Sequence, residues 1–275
     1  MVQYRLFDNI IEKDKTNSFV VAATELFSQL EIEVSILKNS KPDIATEGKT
    51  LNEEIFLYNC AYNLAVAKTQ DASIVCVEDS SYTSFHIAKT VLAENSDLRD
   101  AVRLRLIKDN LELSLDTKVL HVNEILRDVV GLNKLQKMIK RPFDKFNVAI
   151  FNGNKIENLD INSTILTILG AKLVSFETQN DSNGYEILKA SKILADKLAG
   201  KIMLDIFDRA SDFVVTNDAR SFVMFELRQK NLEHSVGRDI NLSVFSTTQV
   251  VLMALGCDDK TKLGLDFHKI PTVLI

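Results

Sequence analysis

The chain has no tryptophan, three cysteines, three prolines and nine glycines in 275 residues. So few prolines and glycines leave no stretch that reads as a flexible linker, and any two domains must be closely joined. Cys60, Cys76 and Cys257 are odd in number and widely separated, which fits neither a disulfide framework nor a local metal-ligand spacing. Basic residues do not dominate either. With 33 Lys and Arg against 38 Asp and Glu the net charge is −5, so the general attraction to phosphate backbones or anionic lipid is missing and no nucleic-acid partner is expected. No window approaches the ~20 apolar residues of a membrane span. The first twenty residues mix Asp8, Glu12 and Asp14 with Arg5, Lys13 and Lys15, leaving no apolar signal core. These absences predict a cytoplasmic protein.

What is present is an alternation of short apolar runs with helical periods, the pattern of a βα architecture. Strands are predicted at Val2 to Phe7, Glu33 to Leu37, Ser73 to Val77, Val119 to Val122, Val148 to Phe151, Lys172 to Phe176, Asp212 to Thr216 and Leu242 to Phe245. Thr50-Leu51-Asn52-Glu53 has the capping-box spacing and predicts a helix start there, running to about Gln70. Ser163 and Asp218 are predicted starts of later helices.

The chain repeats itself. Ile74-Val75-Cys76-Val77-Glu78-Asp79-Ser80-Ser81-Tyr82 superposes on Val214-Val215-Thr216-Asn217-Asp218-Ala219-Arg220-Ser221-Phe222, and Phe85 then falls on Phe225. Each copy has an apolar run, an acid, a serine three residues later and an aromatic after it. A looser match links Leu30 to Val34 with Leu169 to Leu173, and the Phe7 segment with the Phe151 segment. The expected architecture is α/β, with two pseudo-repeated βα halves, mainly parallel sheets, and domains at residues 1–142 and 143–275.

The second half resembles a known family. Phe146-Asn147-Val148-Ala149-Ile150-Phe151-Asn152-Gly153-Asn154, Leu169-Gly170-Ala171, Ser182-Asn183-Gly184 and Thr216 to Ser221 stand in the order and spacing of the cysteine-rich CCG domain. That domain occurs twice in the HdrB component of heterodisulfide reductase and in related iron–sulfur subunits of succinate dehydrogenase and glycolate oxidase. Glu124 to Leu132 and Lys140-Arg141-Pro142-Phe143 resemble the family's connector, Phe225-Glu226-Leu227-Arg228-Gln229 the helix after its last cysteine pair, and Lys262 to His268 its C-terminus.

The residues that define the family are replaced. Asn154, Ser182, Asn183, Asp218 and Ser221 stand where the second repeat presents cysteines, with Gly184 retained, and Glu78 and Ser81 stand at the pair expected after the Ile74 strand. Clusters are held by converging thiolates, so neutral or hard oxygen ligands of this kind are not expected to hold one. The resemblance therefore implies the fold and not the redox chemistry. The expectation is a cluster-free, non-catalytic homologue without cofactor or metal, acting as a structural, assembly or regulatory subunit. Its partners would be the protein subunits of a respiratory or succinate dehydrogenase-like reductase or dehydrogenase complex.

Two other functions stay open. One is a small-molecule binding module lined by the vacated positions Asn154, Ser182, Asn183, Gly184, Asp218, Ser221, Glu78 and Ser81. The other is an electron carrier with non-cysteine ligands. Each residue also has an ordinary role: Asp218 and Glu78 suit helix N-caps, and Asn183-Gly184 is a turn signal. A lone Gly153 is far from a phosphate-binding fingerprint, and His86, His121, His234 and His268 have no metal-ligand spacing. No nucleophile elbow occurs, so no catalytic residue is assigned. Arg103, Arg105, Lys108, Arg127, Lys134, Lys137, Lys140 and Arg141 make the middle third basic, a solvated face that could also dock an acidic partner.

Overall fold

Runs of β-branched and aromatic residues become strands here because both faces of a parallel sheet can be covered by helices. The computed structural model describes residues 3–152, 159–272 and 274. Its strands are β1 (Gln3–Phe7), β2 (Val34–Ile36), β3 (Ala72–Cys76), β4 (Val119–His121), β5 (Asn147–Ile150), β6 (Lys172–Val174), β7 (Phe213–Val215) and β8 (Val244–Phe245). Each predicted run contains one of them, trimmed or shifted at its ends; Val2 lies outside the described residues.

The helices, in chain order, begin with α1 (Lys13–Thr16), α2 (Ser18–Gln29), α3 (Ala45–Leu51), α4 (Glu53–Thr69), α5 (Asp79–Glu94), α6 (Ser96–Lys108) and α7 (Val122–Glu124). They continue with α8 (Leu132–Met138), α9 (Leu159–Ile168), α10 (Lys192–Asp208), α11 (Ala219–Phe222), α12 (Gln229–Val236) and α13 (Thr247–Ala254).

The strands form two four-stranded sheets, β2-β1-β3-β4 and β6-β5-β7-β8, and every pairing is parallel. The two orders are the same when β5 is read as β1, so the fold is α/β with two pseudo-repeated βα halves. The repeat extends to side chains. Phe7 meets Phe85 edge to face, with ring centres 5.2 Å apart and planes at 82°, and Phe151 meets Phe225 at 4.8 Å and 84°. Both pairs join the end of the first strand to the helical segment after the third, where aromatic edges and faces attract.

Two compact units result. One comprises Met1–Asp14 and Phe27–Val122, and the other Lys15–Leu26 and Asn123–Ile275. The second unit thus includes α2 as far as Leu26. Phe19 packs edge to face on Phe222 at 5.6 Å, Glu25 pairs with Lys262 at 3.2 Å, and Gly264 approaches Ser18 so closely that an added Cβ would lie 2.8 Å from its Cα.

Two helix starts differ from expectation. Asn52, not Thr50, caps α4: its side chain accepts from the Ile55 N–H at 3.0 Å, while Thr50 is the penultimate residue of α3 and its hydroxyl bonds back to the Thr46 carbonyl. The amide of Asn52 reaches the free N–H from an extended backbone, and Thr50 is already held in the preceding helix. Ser163 lies inside α9 (Leu159–Ile168).

Candidate functional site

In open α/β sheets ligands bind beyond the carboxyl ends of the strands, and most of the vacated cluster positions follow strands in this way. In the second unit β7 runs into Thr216 and Asn217, and Asp218 then caps α11. One Asp218 oxygen accepts from the Ser221 N–H at 3.0 Å and from the Ser221 hydroxyl at 2.8 Å; the other accepts from Arg220 Nε at 3.2 Å. Ser221 Oγ accepts in turn from Asn183 Nδ2 at 2.8 Å. Asn183, Asp218, Arg220 and Ser221 are all buried. Three of the predicted positions, Asn183, Asp218 and Ser221, are therefore brought together and hydrogen-bonded to one another.

The neighbouring positions shape the same turn. Asn183 Oδ1 accepts from the Tyr185 N–H at 2.9 Å, and Ser182 Oγ accepts from Gly184 N at 3.0 Å and donates to Glu186 at 2.9 Å. Gly184 has φ +77°, and a Cβ there would lie 2.7 Å from the Ala195 carbonyl oxygen. Glycine is required both for the left-handed backbone and for this approach. Asn154 lies outside the described residues.

In the first unit Glu78 occupies the equivalent of Asp218. Its carboxylate accepts from the N–H groups of Ser80 at 2.8 Å and Ser81 at 2.6 Å, capping α5. Cys76 lies two residues earlier, at the end of β3. Burial, and next the Glu78 charge, push its thiol well up. Cys60 is likewise pushed up by burial and by Asp43, and donates to the Ser84 carbonyl at 3.7 Å. Both thiols are held protonated, which removes the nucleophilic and ligating form.

The iron–sulfur group implied by the family resemblance does not fit these residues. The vacated positions supply amide, hydroxyl and carboxylate oxygens, and Ser182, Asn183, Asp218 and Ser221 are already committed to internal hydrogen bonds. Among the described residues no group of three His, Cys, Asp or Glu side chains converges as a metal site would.

Two buried networks were not legible in the sequence. At the carboxyl edge of the second sheet, Asn162 receives Nδ2 donors from Asn123 and, at 2.9 Å, from Asn217, and donates to Asn152 at 3.3 Å. Asn217 also exchanges bonds with Thr247 at 2.9 and 3.0 Å. Farther along, buried Glu226 accepts from the N–H groups of Val244, Lys269 and Ile270 at 3.0, 2.9 and 2.7 Å. His268 Nδ1 stands 3.6 Å from it, and His268 Nε2 stands 2.9 Å from the Gln249 amide nitrogen. Burial raises the Glu226 carboxyl to about 7 and lowers the His268 imidazole to about 4. Glu226 lies in a π-helical turn, Val223–Leu227, a feature frequent at functional positions.

The second unit also has a cleft of about 190 Å³ between Asn152, Ser163, Val174, Ser175, Gln179 and Asn180. Among the vacated positions placed by the structure, none lines it.

Residues 185–269 match the family model of the HdrB-like C-terminal domain. A solved structure described as a hypothetical protein from Helicobacter pylori superposes with a TM-score of 0.86 at 24% identity, over 99% of this chain and 53% of that one. The chain thus spans about half the length of that protein, and the likeness is one of fold. Over residues 185–269, which hold Asp218, Ser221, Glu226 and His268, the chain is similar to the HdrB-like C-terminal domain.

Proposed function

We propose that this chain is a cluster-free, non-catalytic homologue of the HdrB component of heterodisulfide reductase, with degenerate repeats at 1–142 and 143–275. It serves as a structural, assembly or regulatory subunit of a respiratory or succinate dehydrogenase-like reductase complex. It would work in the cytoplasm and meet the inner face of a membrane only through its partner. The observation that carries this reading is the closed hydrogen-bond set of Asn183, Asp218 and Ser221. Where cluster ligands are expected, the chain has residues that stabilise one another, while the surrounding fold is kept. An electron carrier with non-cysteine ligands is disfavoured by the same geometry.

The test is an affinity pull-down of the tagged protein from its own host under anaerobic conditions, read by mass spectrometry, with iron and acid-labile sulfide measured on the purified chain. Stoichiometric recovery of flavoprotein or iron–sulfur subunits with no iron in the chain itself is the expected result. Stoichiometric iron and sulfide in the chain alone would overturn it. The polar cleft beside Asn152 favours a second reading, a small-molecule module. Recovery of the protein alone, with stabilisation by a neutral polar metabolite in a thermal-shift screen, would select it.

A further inference from the structure

The C-terminal segment of the second unit lines a cavity of about 210 Å³ that belongs to neither set of vacated cluster positions. Its walls divide by chemistry. Lys260 and Lys269 bring two ammonium groups, and neither has a carboxylate within ion-pair distance among the described residues. Leu265, Ile270 and Pro271 supply apolar surface, and among the described residues no acidic side chain lines the space. His268, whose side chain is 5% exposed, also lines it.

We propose that this cavity binds a short-chain carboxylate, with its charge met by Lys260 and Lys269 and its alkyl chain laid on Leu265, Ile270 and Pro271. An inorganic anion such as phosphate would satisfy the lysines but leave the apolar wall unused. An uncharged compound of the same shape would gain no charge attraction from the two lysines. The volume, at roughly 30 Å³ of liquid per water molecule, accommodates a ligand of several heavy atoms.

The wall is firmly set. The N–H groups of Lys269 and Ile270 both donate to Glu226, directly behind the cavity. Gln249 Oε1 accepts from Ser246 N, and its Nε2 donates to the Leu263 carbonyl, so the amide orientation is fixed. Its Nε2 therefore also donates to His268 Nε2, and the imidazole proton stays on Nδ1, facing Glu226. Among the described residues Glu226 thus faces the imidazole proton, and Lys260 and Lys269 share the cavity lining with His268. Glu226, near neutrality, carries its proton below about pH 7 and gains a negative charge above it. A carboxylate ligand is then bound more weakly above neutral pH, because the new charge repels it across the wall.

The experiment is isothermal titration of the full chain with butyrate at pH 6 and pH 8, with inorganic phosphate and butyramide as comparison probes. His268 ring resonances, followed by NMR, report the location. The expected result is saturable butyrate binding that shifts the His268 signals and weakens at pH 8. Phosphate and butyramide should each bind at least about tenfold more weakly, as should butyrate to a Lys260→Ala/Lys269→Ala double variant. Both lysines are exposed, so that variant should fold normally. No saturation with tens-of-millimolar butyrate, or equal affinity in the double variant, overturns the site. Equal affinity for phosphate overturns the carboxylate assignment, and equal affinity at the two pH values overturns the Glu226 coupling. None of these results depends on whether the chain joins a larger complex.

Discussion

Replacing Asp218 with alanine removes the acceptor of three hydrogen bonds and one charge beside buried Arg220. A helix cap alone is worth about 1 kcal/mol, whereas removing one partner of a buried ion pair costs about 3 kcal/mol or more. Urea unfolding of Asp218→Ala should show the larger loss; Ser221→Ala, which deletes one hydroxyl, should lose about 1 kcal/mol. A loss of only about 1 kcal/mol for Asp218→Ala would show that Arg220 is held by its other contacts. Glu226 and His268 make a second residue-scale prediction, about pH. The unfolded chain releases the Glu226 proton near its ordinary value of 4.5 but the folded protein keeps it to about 7, so this group's contribution to stability falls as pH rises between those values. His268 acts in the opposite sense. Its ordinary value is 6.5 and its folded value about 4, so stability falls as pH drops from 6.5 towards 4. The two slopes oppose each other from about 4.5 to 6.5, and stability measured by urea should be nearly flat there. In Glu226→Gln only the histidine slope remains, and stability should rise with pH across that window by roughly 3 kcal/mol. A flat profile in the variant would count against the buried imidazole. The thiols give a third. All three cysteines are buried, so a disulfide reagent should react slowly with the native protein and titrate three thiols once guanidinium unfolds it. Rapid native reaction at one thiol would contradict the packing.

At the scale of elements, the strands were legible because each is a short run of apolar, often branched residues, and the caps at Glu78 and Asp218 because an acid follows such a run. Tertiary pairing was not legible. Asn162 meets Asn152, Asn217 and Asn123, residues separated by up to 55 positions, and no local spacing announces that they share a site. Glu226 and His268 are brought within 3.6 Å by the return of the C-terminal segment, and the sequence offered only their place in two family-like stretches. Thr50 misled because the capping-box spacing is satisfied on paper while the chain breaks at Asn52. The Asn183-Gly184 turn was readable as a turn, but its close approach to α10 was not. Gly184→Ala and Gly237→Ala separate the two components. Both have positive φ, but an added Cβ meets the Ala195 carbonyl at 2.7 Å in the first and nothing within 4 Å in the second. Thermal or urea unfolding should show a loss of about 1 kcal/mol for Gly237→Ala and clearly more for Gly184→Ala. Equal losses would mean that α10 yields without cost.

For the whole molecule, the duplicated strand order explains why one repeat in the sequence predicted the architecture of both sheets. The inclusion of Lys15–Leu26 in the second unit had no signal, because α2 is an ordinary amphipathic stretch between β1 and β2 and nothing local says which core it serves. A fragment of residues 123–275 therefore lacks the ring that covers Phe222 and the partner of Lys262. Expressed alone, it should be less stable and bind an apolar dye, and a peptide of residues 15–29 added in excess should reverse both effects. A fragment as stable as the second unit of the intact chain, with no response to the peptide, would show that α2 is dispensable.

The same segment sets a timetable for synthesis. Phe19 leaves the ribosome roughly 200 residues before Phe222, its partner. At about 5–20 residues per second, that is a wait of roughly 10–40 s in which the apolar face of Phe19, Ala22, Ala23 and Leu26 has no native cover. The nascent chain must keep this helix from sticking elsewhere for that time, so recruitment of a chaperone to the first thirty residues, and loss of yield when translation is slowed downstream, are built into the connectivity.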